Sequence, residues 1–307
     1  MSKSAITPTA PWDPYASPLI PCLDQIIGSI ANIAPERRDE LTSLVERAKF
    51  IVDDEPGFGF RSRGDSDPRE VLSSIVGLEL LWCLAYAHIT IYQEAPQLGE
   101  GPNGASPLIQ FASGVLVFAF TDRAQPRTPK FALPDDIPRP AFWDMVQKGS
   151  FTNLHMATDV FACATAWILH HELAHVDLGH LDTTMAVQQD ELDADHAATE
   201  WILASAPSNT VTKRGLGIAL ALAALVALAL GRPYGHARRS NYPPTAERIL
   251  RVMSHPAFGV EHQVHDFAAV AINTHLQQRR IPTPVVENAY DALHAACALV
   301  KSWELGL

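Results

Sequence analysis

The sequence predicts a mainly α protein with at most a small sheet, and three observations predict it. Apolar residues recur at helical spacing through most of the chain. One such run, from Asn153 to Leu178, ends in His171-Glu172-Leu173-Ala174-His175, an HExxH pattern. A second run, from Thr184 to Ala204, carries Glu191 and Asp195 four residues apart, beside the small residues Ala194, Ala197 and Ala198. Residues four apart share one face of a helix, so the imidazoles of His171 and His175 can reach a single metal ion. The expected architecture is an HExxH helix packed against an ExxxD helix.

Composition narrows the functional classes. A chain of 307 residues with 47% hydrophobic and 19% charged residues is globular and can bury a substantial core. The net charge of -11 argues against a general nucleic-acid binder, which needs a basic face. Cys22, Cys83, Cys163 and Cys297 are scattered and form no CxxC pair, so buried free thiols are expected and a cysteine metal site is not. Residues 1–22 are rich in Pro, Ser and Thr and hold no long apolar run. They read as a disordered tail, not a secretory signal, and a cytoplasmic location follows. Residues 23–140 read as an N-terminal helical region and 141–307 as the motif-bearing region, packed together as one unit.

Taken in order, Leu41, Leu44, Val45, Ala48 and Ile51 predict an amphipathic helix from Pro35 to Val52. A loop or short strand follows. Asp67-Pro68-Arg69-Glu70 has the pattern of a capped helix start, so a core helix is expected from Pro68 to Gln93, with His88 a core histidine. Residues 99–106 read as a glycine-rich turn, 107–121 as a helix and 127–140 as a proline-rich irregular connection. Gly215 to Gly231 holds 17 residues without a charge, flanked by Lys213, Arg214 and Arg232. As a helix it is about 25 Å long, short of a ~30 Å hydrocarbon core. It reads as a buried central helix, with peripheral or integral contact with an inner membrane as the alternative. A proline-started helix through Ile249, Leu250 and Met253 follows, then helices near Val260–Arg279 and Pro284–Leu305.

A catalytic zinc ion takes three protein ligands and keeps one position open. His171 and His175 supply two. The metzincin spacing would put glycine three and histidine six residues after His175, whereas Gly179 and His180 stand at four and five. A slip of one residue turns a helical side chain by about 100°, so His180 suits a place on the surface or behind the ligands. Glu191, arriving from a separate helix, is the better third ligand. Asp195, one turn further, can accept a hydrogen bond from the outer nitrogen of a ligating histidine and fix its tautomer. Asp190 and Asp193 read as solvated. Glu172 can take a proton from a water on the metal and pass it to the leaving amine. His236, Tyr242 and Arg248 are the candidates to stabilise the developing oxyanion.

The segments HHELAHVDLGH, ELDADHAATEWIL and YPPTAERI resemble the Lit-type phage-exclusion peptidases of peptidase family U49. More distantly they are similar to the M48 gluzincins, which carry HExxH, a Glu-x-x-Ala-Asp helix and a His-Pro…Arg-Ile segment. The likeness runs from Asn153 to Met253. It implies a helical zincin-like metallopeptidase fold, with zinc held by His171, His175 and Glu191. It also implies endopeptidase activity on a cytoplasmic protein, linked in the Lit-type case to defence against phage. The arginine of the family segment falls at Arg248, which makes it the preferred oxyanion donor. Tyr242 stands where the relatives often carry histidine.

Two other functional classes compete. Regulatory peptidases of the ImmA/IrrE kind share HELAH-like motifs and cleave a repressor, but they come with a DNA-binding module, and no helix-turn-helix is evident here. A non-catalytic zinc clamp would close with four protein ligands, often cysteines. Three ligands with a carboxylate beside them favour catalysis.

Overall fold

The computed structural model describes residues 17, 19–45, 48–53, 59–64, 67–98, 139–141, 153–182, 188–236 and 242–307. The turn expected at 99–106, the helix at 107–121 and most of the connection at 127–140 lie outside the described residues. In chain order the first elements are α1 (Leu23–Asn32), α2 (Arg38–Val45), β1 (Ala48–Asp53), β2 (Phe60–Arg63), β3 (Arg69–Ser74) and α3 (Ile75–Leu98). The second half contributes α4 (Asn153–Asp177), α5 (Gln188–Leu203), α6 (Ser208–Gly231), α7 (Thr245–Met253), α8 (Gln263–Gln278) and α9 (Ala289–Leu305). The protein is mainly helical with one small sheet, as the apolar spacing predicts.

Helices α4 and α6 form the centre. The uncharged run of α6 is buried against α4, α7, α8 and α9. Its alanines and Gly217 allow a close approach: a Cβ at Gly217 would lie 2.8 Å from the Ala164 backbone nitrogen of α4. Both Ile75–Gln93 and Ser208–Gly231 are long and apolar enough to cross a membrane, but 72% and 89% of their apolar windows are covered by the protein itself. On the other side of α4, α1 and α3 pack from the N-terminal region. Cys83, Cys163 and Cys297 are buried free thiols and Cys22 is half-buried. His88 is a core histidine, its Nε2 3.1 Å from Nε2 of His275.

Two expected helices turn out to be partly strand. The run from Pro35 to Val52 stops being helical at Val45, and Ala48–Asp53 is β1. Short apolar runs satisfy both periods, and Phe50, Ile51 and Val52 suit a pleated surface. The capped start at Asp67 is likewise overridden, because Arg69–Ser74 is β3 and helix begins only at Ile75. Among the described residues the sheet has the order β1-β3-β2. β3 pairs in parallel with β1, Ala48 opposite Arg69, and antiparallel with β2, Phe60 opposite Ser73. Ladders on both sides of β3 outweigh a local helix-start signal. Two boundaries also shift. Leu19 is fully buried, so part of the expected tail belongs to the core. α9 starts at Ala289 and not Pro284, with the Asn288 side chain accepting from Asp291 N at 2.9 Å.

Candidate active site

The last turns of α4 carry the HExxH residues, and the helix gives way to Gly179, whose φ of 73° suits glycine. α5 returns against α4, its Ala194 and Ala198 buried in the contact. Trp167 Nε1 on α4 donates to Thr199 Oγ1 on α5 at 3.0 Å, which sets the register of the two helices. That register brings Glu191 to the two histidines. His171 Nε2 and His175 Nε2 stand 3.2 Å apart. Glu191 Oε2 lies 3.5 Å from the first and Oε1 3.6 Å from the second. One ligand atom from each residue falls within 4.8 Å of the others, enough to hold a metal ion.

Behind this cluster each outer nitrogen has a close polar neighbour. His171 Nδ1 sits 2.9 Å from Asp195 Oδ1, and His175 Nδ1 sits 3.0 Å from His180 Nδ1. Arg248, from α7, closes the layer. Its Nε and Nη2 donate to the two oxygens of Asp195 at 2.7 and 2.8 Å. Its Nη1 lies 3.1 Å from Glu191 Oε2. This fork-to-fork pairing is the strong geometry for an arginine and a carboxylate.

Charges in the cluster are strongly coupled. Burial alone would lower the His171 ring, but Asp195 and then Glu191 outweigh it and lift its pKa to about 9. Burial and the charge on His171 push His175 down to about 4. Burial opposes ionisation of Asp195 and Glu191, yet Arg248 and His171 hold both carboxyls below their usual range. Glu172 goes the other way: burial raises its carboxyl, although a hydrogen bond with the Ser62 side chain works against that rise.

The cluster opens into a cavity of about 450 Å³. Phe60, Arg61 and Ser62 of the edge strand β2 line one side, and Leu225, Leu228 and Ala229 of α6 line another. His236 and Tyr242 both reach this cavity, Tyr242 at its exposed rim. His236 Nε2 is 4.0 Å from Glu304 Oε1. All eight candidate residues, His171, Glu172, His175, Glu191, Asp195, His236, Tyr242 and Arg248, therefore gather around one cavity and its supporting layer.

Sequence reasoning missed several participants. Asp190, expected to be solvated, lines the cavity with its Oδ1 3.9 Å from His180 Nε2. Ser62 belongs to no motif, and only the fold of β2 against α4 brings it to Glu172. Glu304 of α9 accepts from Thr245 N at 2.9 Å and from Thr245 Oγ1 at 2.6 Å, capping α7 from 59 residues away. A contact of that sequence separation leaves no local signal.

A buried cluster of two histidines and a glutamate, beside a further carboxylate and open to a cavity, has the groups a hydrolytic enzyme needs. The chain matches Peptidase U49 over residues 72–268 and belongs to that family. It is accordingly a peptidase, and its substrate is a protein. It is 28% identical over 268 residues to the "Cell death peptidase" of Escherichia coli (strain K12), covering 83% of this chain and 88% of that relative. No solved structure matches the chain.

Proposed function

We propose that the protein is a zinc-dependent endopeptidase of the cytoplasm, with His171, His175 and Glu191 as the metal ligands. The convergence of these three residues within 4.8 Å carries the reading. The donor set fits the ion. The Nε2 atoms of His171 and His175 face each other at 3.2 Å, with the Glu191 oxygens 3.5 and 3.6 Å away. A divalent cation between them would satisfy both nitrogens and the carboxylate together. Zinc held there would supply Lewis acidity and make a water molecule acidic near neutral pH.

The remaining chemistry belongs to the chain. Glu172, on the cavity wall with Ser62 of β2, is the base that takes the proton and returns it to the leaving amine. Arg248, preferred from its position in the sequence as oxyanion donor, is committed to Asp195 and Glu191 and acts by holding them. The oxyanion role falls to Tyr242 and His236, which line the cavity beside Arg248. Burial, then Glu191 and Glu172, raise the Tyr242 phenol, so it keeps the proton it must donate.

The burial of α6 supports a place in the protein core, and hence a cytoplasmic location in preference to an inner-membrane one. The name of the Escherichia coli relative, with the resemblance to phage-exclusion peptidases, supports a role in antiviral defence by cell death. Elemental analysis of purified protein tests the metal centre. Wild type should carry near one zinc per chain, and His175→Ala and Glu191→Ala should lose it. Undiminished zinc in Glu191→Ala would refute the ligand set.

A further inference from the structure

His171 and His175 are backed by different chemistry. Asp195, 1% exposed and gripped by Arg248, stands behind His171. Behind His175 stands another imidazole, His180, in the short turn His180–Asp182 that follows α4. The two rings meet nearly edge to face, with centroids 5.1 Å apart and planes at 68°. The contact is between outer nitrogens, Nδ1 to Nδ1 at 3.0 Å. His180 is thus on the far side of His175 from the converging Nε2 atoms.

Tautomers follow from this geometry. For Nε2 of His175 to present a lone pair to a cation, the ring must carry its proton on Nδ1. His180 Nδ1 can accept that proton's hydrogen bond only if its own proton is on Nε2. His180 Nε2 lies 3.9 Å from Asp190 Oδ1, whose negative charge favours the proton there. The turn is held in place from the sheet: Arg69 of β3 donates to Val176 O at 3.2 Å and pairs with Asp182.

We propose that His180, with Asp190 beside it, is a positioning residue that fixes the tautomer and ring direction of His175 from the side away from the converging Nε2 atoms. The inference rests on the reading of His171, His175 and Glu191 as zinc ligands. It assigns His180 no contact with the metal.

Zinc affinity, measured on metal-stripped protein by competition with a chromophoric chelator, tests it. Outer partners of ligating histidines typically contribute about 10- to 100-fold in metal affinity, so His180→Ala should weaken zinc by that factor. Two near-isosteric variants separate the acceptor role from packing. Asparagine places its amide oxygen where Nδ1 stood, and His180→Asn should keep affinity within a few-fold of wild type. Glutamine places its amide where Nε2 stood, and His180→Gln should lose about as much as alanine. Asp190→Asn should lose a smaller factor, about severalfold. The melting temperatures of the metal-free variants should match wild type. Unchanged affinity in His180→Ala, or equal affinities in the asparagine and glutamine variants, would overturn the proposal. His171→Ala serves as control. If it abolishes zinc binding while the His180 variants bind normally, the zinc centre stands and this inference falls. If wild type binds no zinc, both fall.

Discussion

Removal of Arg248 is the most revealing perturbation of the supporting layer. Its side chain is buried and gives three close contacts to two carboxylates, at 2.7 and 2.8 Å to Asp195 and 3.1 Å to Glu191. Arg248→Ala leaves Asp195, 1% exposed, without its main counter-charge. Breaking a buried pair in this way costs about 3–5 kcal/mol, most of it from the charge left behind. In a protein of this size that corresponds to a fall in melting temperature of roughly 6–20 °C. Arg248→Lys should lie between, because a point charge cannot span both oxygens of Asp195. Adding Asp195→Asn to Arg248→Ala should cost less than the sum of the single changes, with about 0.5–3 kcal/mol of coupling. The assay is thermal unfolding of metal-free protein, so that lost zinc does not enter. A melting temperature for Arg248→Ala equal to wild type, or strict additivity in the double variant, would mean that Arg248 does not stabilise the buried carboxylates.

Other consequences are as direct. His88 and His275 meet in the core and His170 stacks on Trp201 with its Nε2 3.1 Å from Ile30 O. Burial holds His88 well below its usual pKa, His275 at about 4 and His170 at about 3. With folded values below an unfolded value near 6.5, the unfolded chain binds more protons as pH falls from about 6.5 toward 4. Each such histidine then costs on the order of 2 kcal/mol of stability between about pH 6.5 and 5, while Glu304, raised by burial, works in the opposite sense. Denaturant unfolding should show a marked loss over that interval, and a flat profile would mean these rings are charged in the fold. Gly217→Ala should destabilise despite alanine's better helix propensity, because the obstacle is backbone of α4; overpacking of this kind costs about 1–3 kcal/mol, read as a lower melting temperature. Ser62→Ala should leave zinc content unchanged and lower kcat by about tenfold, the worth of one hydrogen bond to a carboxylate.

Helices α4, α5 and α6 were legible in the sequence because each is long enough for its period to be unambiguous. The spacing of His171, His175, Glu191 and Asp195 is a property of those helices, so the cluster was legible with them. Strands β1 and β3 were not, because β3 pairs with β1 at Ala48–Arg69 and with β2 at Phe60–Ser73, and each short run alone fits a helix equally well. The same holds at the site. Arg248 stood out as a residue, but its partner Asp195 lies 53 positions away, and only the packing of α7 on α5 brings the two together. Register argued against His180 as a ligand, and the fold places it behind His175, with Asp190 turned inward to meet it.

Cleavage itself is the central claim, and Glu172 isolates it. New protein N-termini should be mapped in cells expressing wild type or Glu172→Gln, with and without phage infection, after confirming equal zinc content in the two proteins. At least one cleavage product should be present with wild type and absent with Glu172→Gln. Identical N-termini in the two cell populations, or a purified Glu172→Gln protein that still cleaves, would contradict it.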